Sequence, residues 1–157
     1  MESQEELKEC MLKEMDMTQD IIRRMASNSF LLKGWAVTLV VGIMLLQGPH
    51  KYQVSLALVP LVAFWYLDAY FLRQERLYRK LYAWVIGHRL TTEEHLFDND
   101  ATRFGGEVDS PLRTMFCGPL VIVDGKRRRK TGTLLCFYGP MAIVVIAYLL
   151  CGIFCVF

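Results

Sequence analysis

Hydrophobic and polar positions alternate along this chain in long blocks rather than residue by residue. Over residues 2–27, Leu7, Met11, Met15, Ile22 and Met25 recur at near-helical spacing among charges, which predicts an amphipathic helix. Such a helix packs on its own domain, on a neighbouring copy or on a membrane face. From Phe30 to Gln47 the chain turns apolar, and GWAVTLVVGIMLL carries no charge. At about 1.5 Å per residue this stretch approaches the thickness of a bilayer's hydrocarbon core. QGPHK then breaks the helix, because Gly-Pro does not continue it.

A second apolar run follows from Tyr52 to Leu72. The two runs predict a transmembrane hairpin over 28–72, with Pro60 kinking its second helix. That helix does not stop where the apolar run ends. Leu77, Leu81 and Val85 are four apart, with Tyr78, Tyr82 and Trp84 beside them, and Gly87 is placed to end it. The predicted helix spans 53–86 and extends beyond the bilayer for about 20 Å. Residues 134–157, LLCFYGPMAIVVIAYLLCGIFCVF, contain no charge and predict a C-terminal transmembrane helix.

Between the second and third spans lies a polar region, 73–133. TTEEHLF reads as one capped helical turn and RFGGEVDSP as turns. DNDATRFGGEVD has alternating acids but lacks the spacing and closing glutamate of an EF-hand loop. GPLVIVDGKRRRKTG fits either a small β-hairpin, with Asp-Gly as its turn, or a re-entrant or interfacial segment. The fold class expected is an all-α integral membrane protein of four parts, 1–27, 28–72, 73–133 and 134–157.

Composition agrees with this pattern. Hydrophobic residues make up 54% of the chain, above the usual share, while a net charge of +2 gives no reason to expect a nucleic-acid partner. The acidic, polar N-terminus does not read as a signal peptide. Basic residues are distributed unevenly. Arg23, Arg24 and Lys33 flank the first span, only Lys51 lies in the hairpin turn, and Arg73, Arg76, Arg79 and Lys80 follow the second. Lys126, Arg127, Arg128, Arg129 and Lys130 precede the third. By the positive-inside rule the N-terminus and the polar region are cytoplasmic, and the hairpin turn and C-terminus lie outside. The KRRRK run reads as an anchor to anionic lipid headgroups or as a docking patch for an acidic partner.

Two charges stand inside the apolar runs. If the hairpin turns near residue 50, residue 33 mirrors residue 67, so Lys33 and Asp68 share one depth. Either alone near hydrocarbon is costly; together they form an ion pair. The same arithmetic brings Asn28 close to Arg73. Two roles stay open for this polar layer. Lys33 and Asp68 serve as a latch fixing hairpin register, or Asn28, Lys33, Asp68, Arg73 and Glu75 line a water-filled axis in an oligomer. Three helices per chain do not enclose a pore, so a conducting path needs several copies.

No enzyme motif is present: no GxSxG, P-loop or HExxH occurs, and Ser27 and Ser29 have no arranged base. Five cysteines without a CxxC pair and three scattered histidines give no metal site and no cofactor. The chain is expected not to be an enzyme.

RMASNSFLLKGWAVTLV, FWYLDAYFLRQERLYRKLYAWV and the later FYGPMAIVVI together resemble a family of small bacterial inner-membrane proteins called RipA-like. The first two motifs carry most of the resemblance, and CGPLVIVDGKRRRKTG departs from it by its length. The resemblance implies a ring-shaped homo-oligomer, an octamer in descriptions of the family, with the middle region cytoplasmic. Some members resemble anti-phage effectors, thought to assemble on ring-shaped phage proteins and open pores that kill the infected cell. Others are linked to growth and pH homeostasis, which implies a membrane scaffold without a pore. The partners expected are therefore membrane lipids, further copies of the chain and a ring-shaped phage protein as trigger.

Overall fold

The computed structural model describes the backbone of residues 2–46, 51–92, 94–123 and 126–154, and the side chains of 4–46, 54–92, 94–117 and 132–151. Helix α1 covers Glu2–Leu45. A 3-10 segment, Lys51–Ala57, leads into α2, Leu58–His88. A second 3-10 segment, Ala101–Glu107, precedes the short α3, Pro111–Phe116. Strand β1, Cys117–Val123, pairs antiparallel with β2, Lys126–Thr131. The Asp-Gly turn read between them lies outside the described residues. Helix α4 is Thr133–Phe154.

Three helices are long and apolar enough to cross a membrane: Gln4–Leu45, Val54–His88 and Thr133–Cys151. The first joins what the sequence divided. The amphipathic stretch and the apolar run form one helix of 44 residues, about 66 Å long. Asn28 and Ser29 interrupt the pattern chemically but do not break a helix, because neither lacks an amide N–H nor demands a left-handed backbone. Pro60 also departs from expectation. Helix α2 begins at Leu58, so Pro60 falls in its first turn, where the missing N–H has no intrahelical partner to lose. Pro140 is the proline inside a helix, in α4.

The chain divides into two compact units, Met1–Asn28 with Phe71–Asp109, and Ser29–Tyr70 with Ser110–Phe157. Of the region 73–133, residues up to Asp109 fall in the first unit and residues from Ser110 onward in the second. The first unit packs Leu77, Leu81, Val85 and Ala101 into a core, with Met11, Met15, Trp84 and Phe104 around it. Met11 and Met15 of the apolar stripe thus pack on the core of their own unit. Gln19 donates to the hydroxyl of Tyr82 at 2.9 Å. Within the stretch TTEEHLF, residues 94–97 form a turn rather than a helix, and His95 and Phe97 adopt left-handed backbone angles, φ 56° and 55°. RFGGE lies instead in the second 3-10 segment, capped by Asp100, whose carboxylate accepts from the N–H of Thr102 at 2.8 Å.

The second unit holds the apolar half of α1, the start of α2, α3, the two strands and α4. Helix α4 packs on the 3-10 segment Lys51–Ala57 and on α3. Ala36, Ala57 and Ala69 are fully buried, and such small side chains let backbones approach closely, as membrane helices require. Trp65 stacks on Tyr138 with ring centroids 5.9 Å apart and donates through Nε1 to the carbonyl of Met115 at 3.2 Å. Ser110 caps α3 and Pro111 occupies its first position. Outside this core, Phe30, Leu31, Trp35, Leu45, Val59 and Ile143 are exposed, the surface expected of a bundle solvated by lipid.

Candidate functional site

Lys33 and Asp68 meet inside the second unit. Lys33 Nζ stands 2.6 Å from Asp68 Oδ2. The same ammonium donates to Ser29 Oγ at 2.8 Å and to the Ser29 carbonyl at 3.3 Å. The Ser29 hydroxyl in turn donates to Asp68 Oδ1. Helix geometry explains the set. Ser29 and Lys33 are four residues apart on α1 and share a face, and α2 brings Asp68 onto that face. Oδ1 thus accepts a hydrogen bond from the hydroxyl, while Oδ2 faces the ammonium as an ion pair without a hydrogen bond among the described residues. The phenol of Tyr138, fully buried on α4, lies within electrostatic reach of Asp68. Its oxygen has no hydrogen-bond partner among the described residues.

Exposure is unequal across the pair. The Asp68 side chain is 0% exposed, whereas that of Lys33 is 27% exposed. A carboxylate sealed among apolar side chains requires a permanent countercharge. The lysine meets that requirement with a side chain that is itself partly exposed.

The other residues of the expected layer lie in the first unit. Asn28 is half-buried and makes no hydrogen bond with Arg73 among the described residues. Arg73 is half-buried, and its Nε is sealed from solvent with no hydrogen-bond partner. Glu75 is committed to Arg79 one turn on, 2.6 Å away. The mirror arithmetic thus found the Lys33–Asp68 pair and did not produce the Asn28–Arg73 contact. The side chains of Lys126, Arg127, Arg128, Arg129 and Lys130 lie outside the described residues, and their backbone forms β2.

The first unit contains a polar cluster that the sequence reading missed. Arg89 Nε and Nη2 donate to the two carboxylate oxygens of Glu14 at 2.6 and 2.8 Å. Arg89 also donates to the carbonyls of Thr92, Glu94 and His95, and Glu14 accepts from the N–H of Phe97 at 2.6 Å. Both side chains are buried. The cluster clamps the left-handed turn 95–97 onto α1. Trp84 lies next to it, with the guanidinium of Arg103 over its ring at 4.4 Å. A signal for Glu14 existed: it falls on the same helix face as Met11, Met15 and Thr18.

Outside the candidate spans, the Asp100 carboxyl is held below its ordinary value by the hydroxyl and N–H of Thr102, which donate to it. No group of three or more histidine, cysteine or acidic side chains suited to a metal ion occurs among the described residues. Set against protein-family models, curated proteins and solved structures, the chain matches none.

Proposed function

We propose that this chain is a non-enzymatic subunit of a ring-shaped homo-oligomer in a bacterial inner membrane, a pore-forming effector opened by a cytoplasmic partner. The observation that carries the reading is the Lys33–Asp68 ion pair set between two span-length helices, with the Lys33 side chain 27% exposed and that of Asp68 fully buried. One chain does not enclose a path, so several copies surround the axis on which Lys33 opens. The distribution of basic residues supports a cytoplasmic N-terminus and a cytoplasmic region 73–133, available to a trigger. The likeness to RipA-like proteins supplies the biological setting, abortive anti-phage defence, with a ring-shaped phage protein as trigger and KRRRK as a headgroup or partner contact.

A second reading has an observation of its own. Asp68 is sealed, ion-paired to Lys33 and hydrogen-bonded by Ser29, as suits a register latch, and a latch serves a closed scaffold as well as a pore. Such a scaffold supports growth or pH homeostasis without conduction. Dye release from vesicles reconstituted with the full chain separates the two. Release that depends on protein concentration and changes with Lys33→Gln supports the pore. Assembled rings that never release dye, and cells that never depolarise on induction with a trigger present, leave the scaffold.

A further inference from the structure

Lys8, Arg24 and Arg103 of the first unit are exposed, and its other arginines and lysines fall into two groups. Lys13, Arg23, Arg79, Lys80 and Arg89 each lie within 3.5 Å of an acid: Glu9, Asp20, Glu75, Glu107 and Glu14. Arg73 and Arg76 do not. They sit three residues apart on α2, both half-buried, and neither has a hydrogen bond or a close ion pair among the described residues. Asp109 is the acid that acts most strongly on Arg76, followed by Glu75, which is already held by Arg79. For Arg73 the shortfall is sharper, because its buried Nε has no acceptor. A guanidinium taken from water without a partner is expensive, and chains pair such groups or supply them with a ligand.

The surroundings match one ligand chemistry. Gly105 faces Arg73 so closely that an added Cβ would stand 3.7 Å from Nη2, while one on Gly106 would meet nothing within 4 Å. Side-chain-free backbone therefore borders the guanidinium at Gly105. Two forks on one helix face suit a tetrahedral oxyanion, because guanidinium binds phosphate oxygens in pairs. Position selects the source of that phosphate. Arg73 directly follows the apolar run that ends at Phe71 and Leu72, where a bilayer's headgroups begin.

We propose that Arg73 and Arg76 form a binding site for the phosphate of an anionic phospholipid at the edge of the second span. It rests on reading the three helices as membrane spans and is independent of assembly or conduction.

The test titrates the full chain, purified in detergent, with dioctanoyl phosphatidic acid, dioctanoyl phosphatidylcholine and inorganic phosphate, following tryptophan fluorescence and bound lipid by native mass spectrometry. Saturable binding of phosphatidic acid is expected, weakened at least about ten-fold by Arg73→Gln or Arg76→Gln. Neutralising Lys126 to Lys130 together should leave that affinity in place, which separates this site from the basic strand. If Arg73→Gln does not fold, Arg73→Lys keeps the charge without the fork and should still bind more weakly. Equal binding by wild type and Arg73→Lys or Arg76→Gln overturns the proposal. So does inorganic phosphate that competes as well as the lipid, since the site then takes free phosphate. Failure of the membrane reading shows separately, as a chain recovered from cells without detergent.

Discussion

Glu14 and Arg89, seventy-five positions apart, form a bidentate ion pair whose two contacts measure 2.6 and 2.8 Å. The guanidinium spends its remaining donors on three carbonyls of residues 92–95, and the carboxylate takes the N–H of Phe97 as well. The pair therefore does more than bring two charges together. It satisfies the backbone of a turn that is strained at His95 and Phe97. Removing one partner leaves the other charged and buried, which costs about 3–5 kcal/mol. Glu14→Ala and Arg89→Ala should each lower the melting temperature of the detergent-solubilised chain strongly. Protease cleavage within 92–97 should become fast in both. A variant that melts like wild type would show that the turn is held by something else.

The Lys33–Asp68 pair predicts a different pattern, because both charges reverse without changing their sum. Lys33→Ala and Asp68→Ala should each impair recovery of folded protein from membranes, with the Asp68 variant leaving a cation near hydrocarbon at about 2.5–3.5 kcal/mol. The exchange Lys33→Asp with Asp68→Lys should recover more than either single change, a coupling that a double-mutant cycle reads directly. Ser29→Ala should be milder, since it removes one hydrogen bond to each charge and keeps the ion pair. Additive losses in the cycle would remove the latch.

Asp100 offers a pH test outside the spans. Its folded-state value is depressed by Thr102, so the carboxylate's contribution is complete above the ordinary aspartate value and disappears as pH falls through the folded value. Amide exchange across Ala101–Glu107 should therefore accelerate on acidification relative to its intrinsic rate. Asp100→Asn, which still caps but does not titrate, should flatten that dependence. An unchanged pH profile in Asp100→Asn would assign the acid sensitivity to another group.

What was legible in the sequence follows from how each feature is encoded. Lys33 and Asp68 are the charges inside two apolar runs joined by a short break, so symmetry about the break paired them. Helix continuity through Asn28 was not legible, because a change of surface chemistry resembles a boundary although the backbone has no reason to stop. Arg89 lies just past a glycine in a polar stretch and looks solvated. Its partner is fixed by the return of α2 along α1, which no local period reports. The left-handed angles at His95 and Phe97 follow from the same contacts, and that at Phe97 runs against the preference of its side chain. Arg73 was named as polar-layer material, but its environment depends on the Gly105 loop, whose 3-10 geometry is set by an aspartate cap rather than by a hydrophobic pattern.

Trp65 and Tyr138 stack in the second unit, yet their polar atoms stand in opposite conditions. Trp65 Nε1 donates to the carbonyl of Met115 at 3.2 Å, whereas the Tyr138 oxygen is buried with no hydrogen-bond partner among the described residues. Losing a satisfied donor strands its acceptor, at about 1–3 kcal/mol, while deleting an unsatisfied hydroxyl removes a burden. Trp65→Phe should therefore lower the melting temperature, and Tyr138→Phe should leave it unchanged or raise it. Tyr138→Ala sets the scale, because it also opens a cavity, at about 3–5 kcal/mol for an aromatic side chain. Destabilisation by Tyr138→Phe equal to that of Trp65→Phe would mean that the phenol bonds Asp68 in the membrane. The polar set would then comprise Ser29, Lys33, Asp68 and Tyr138, drawn from all three spanning helices.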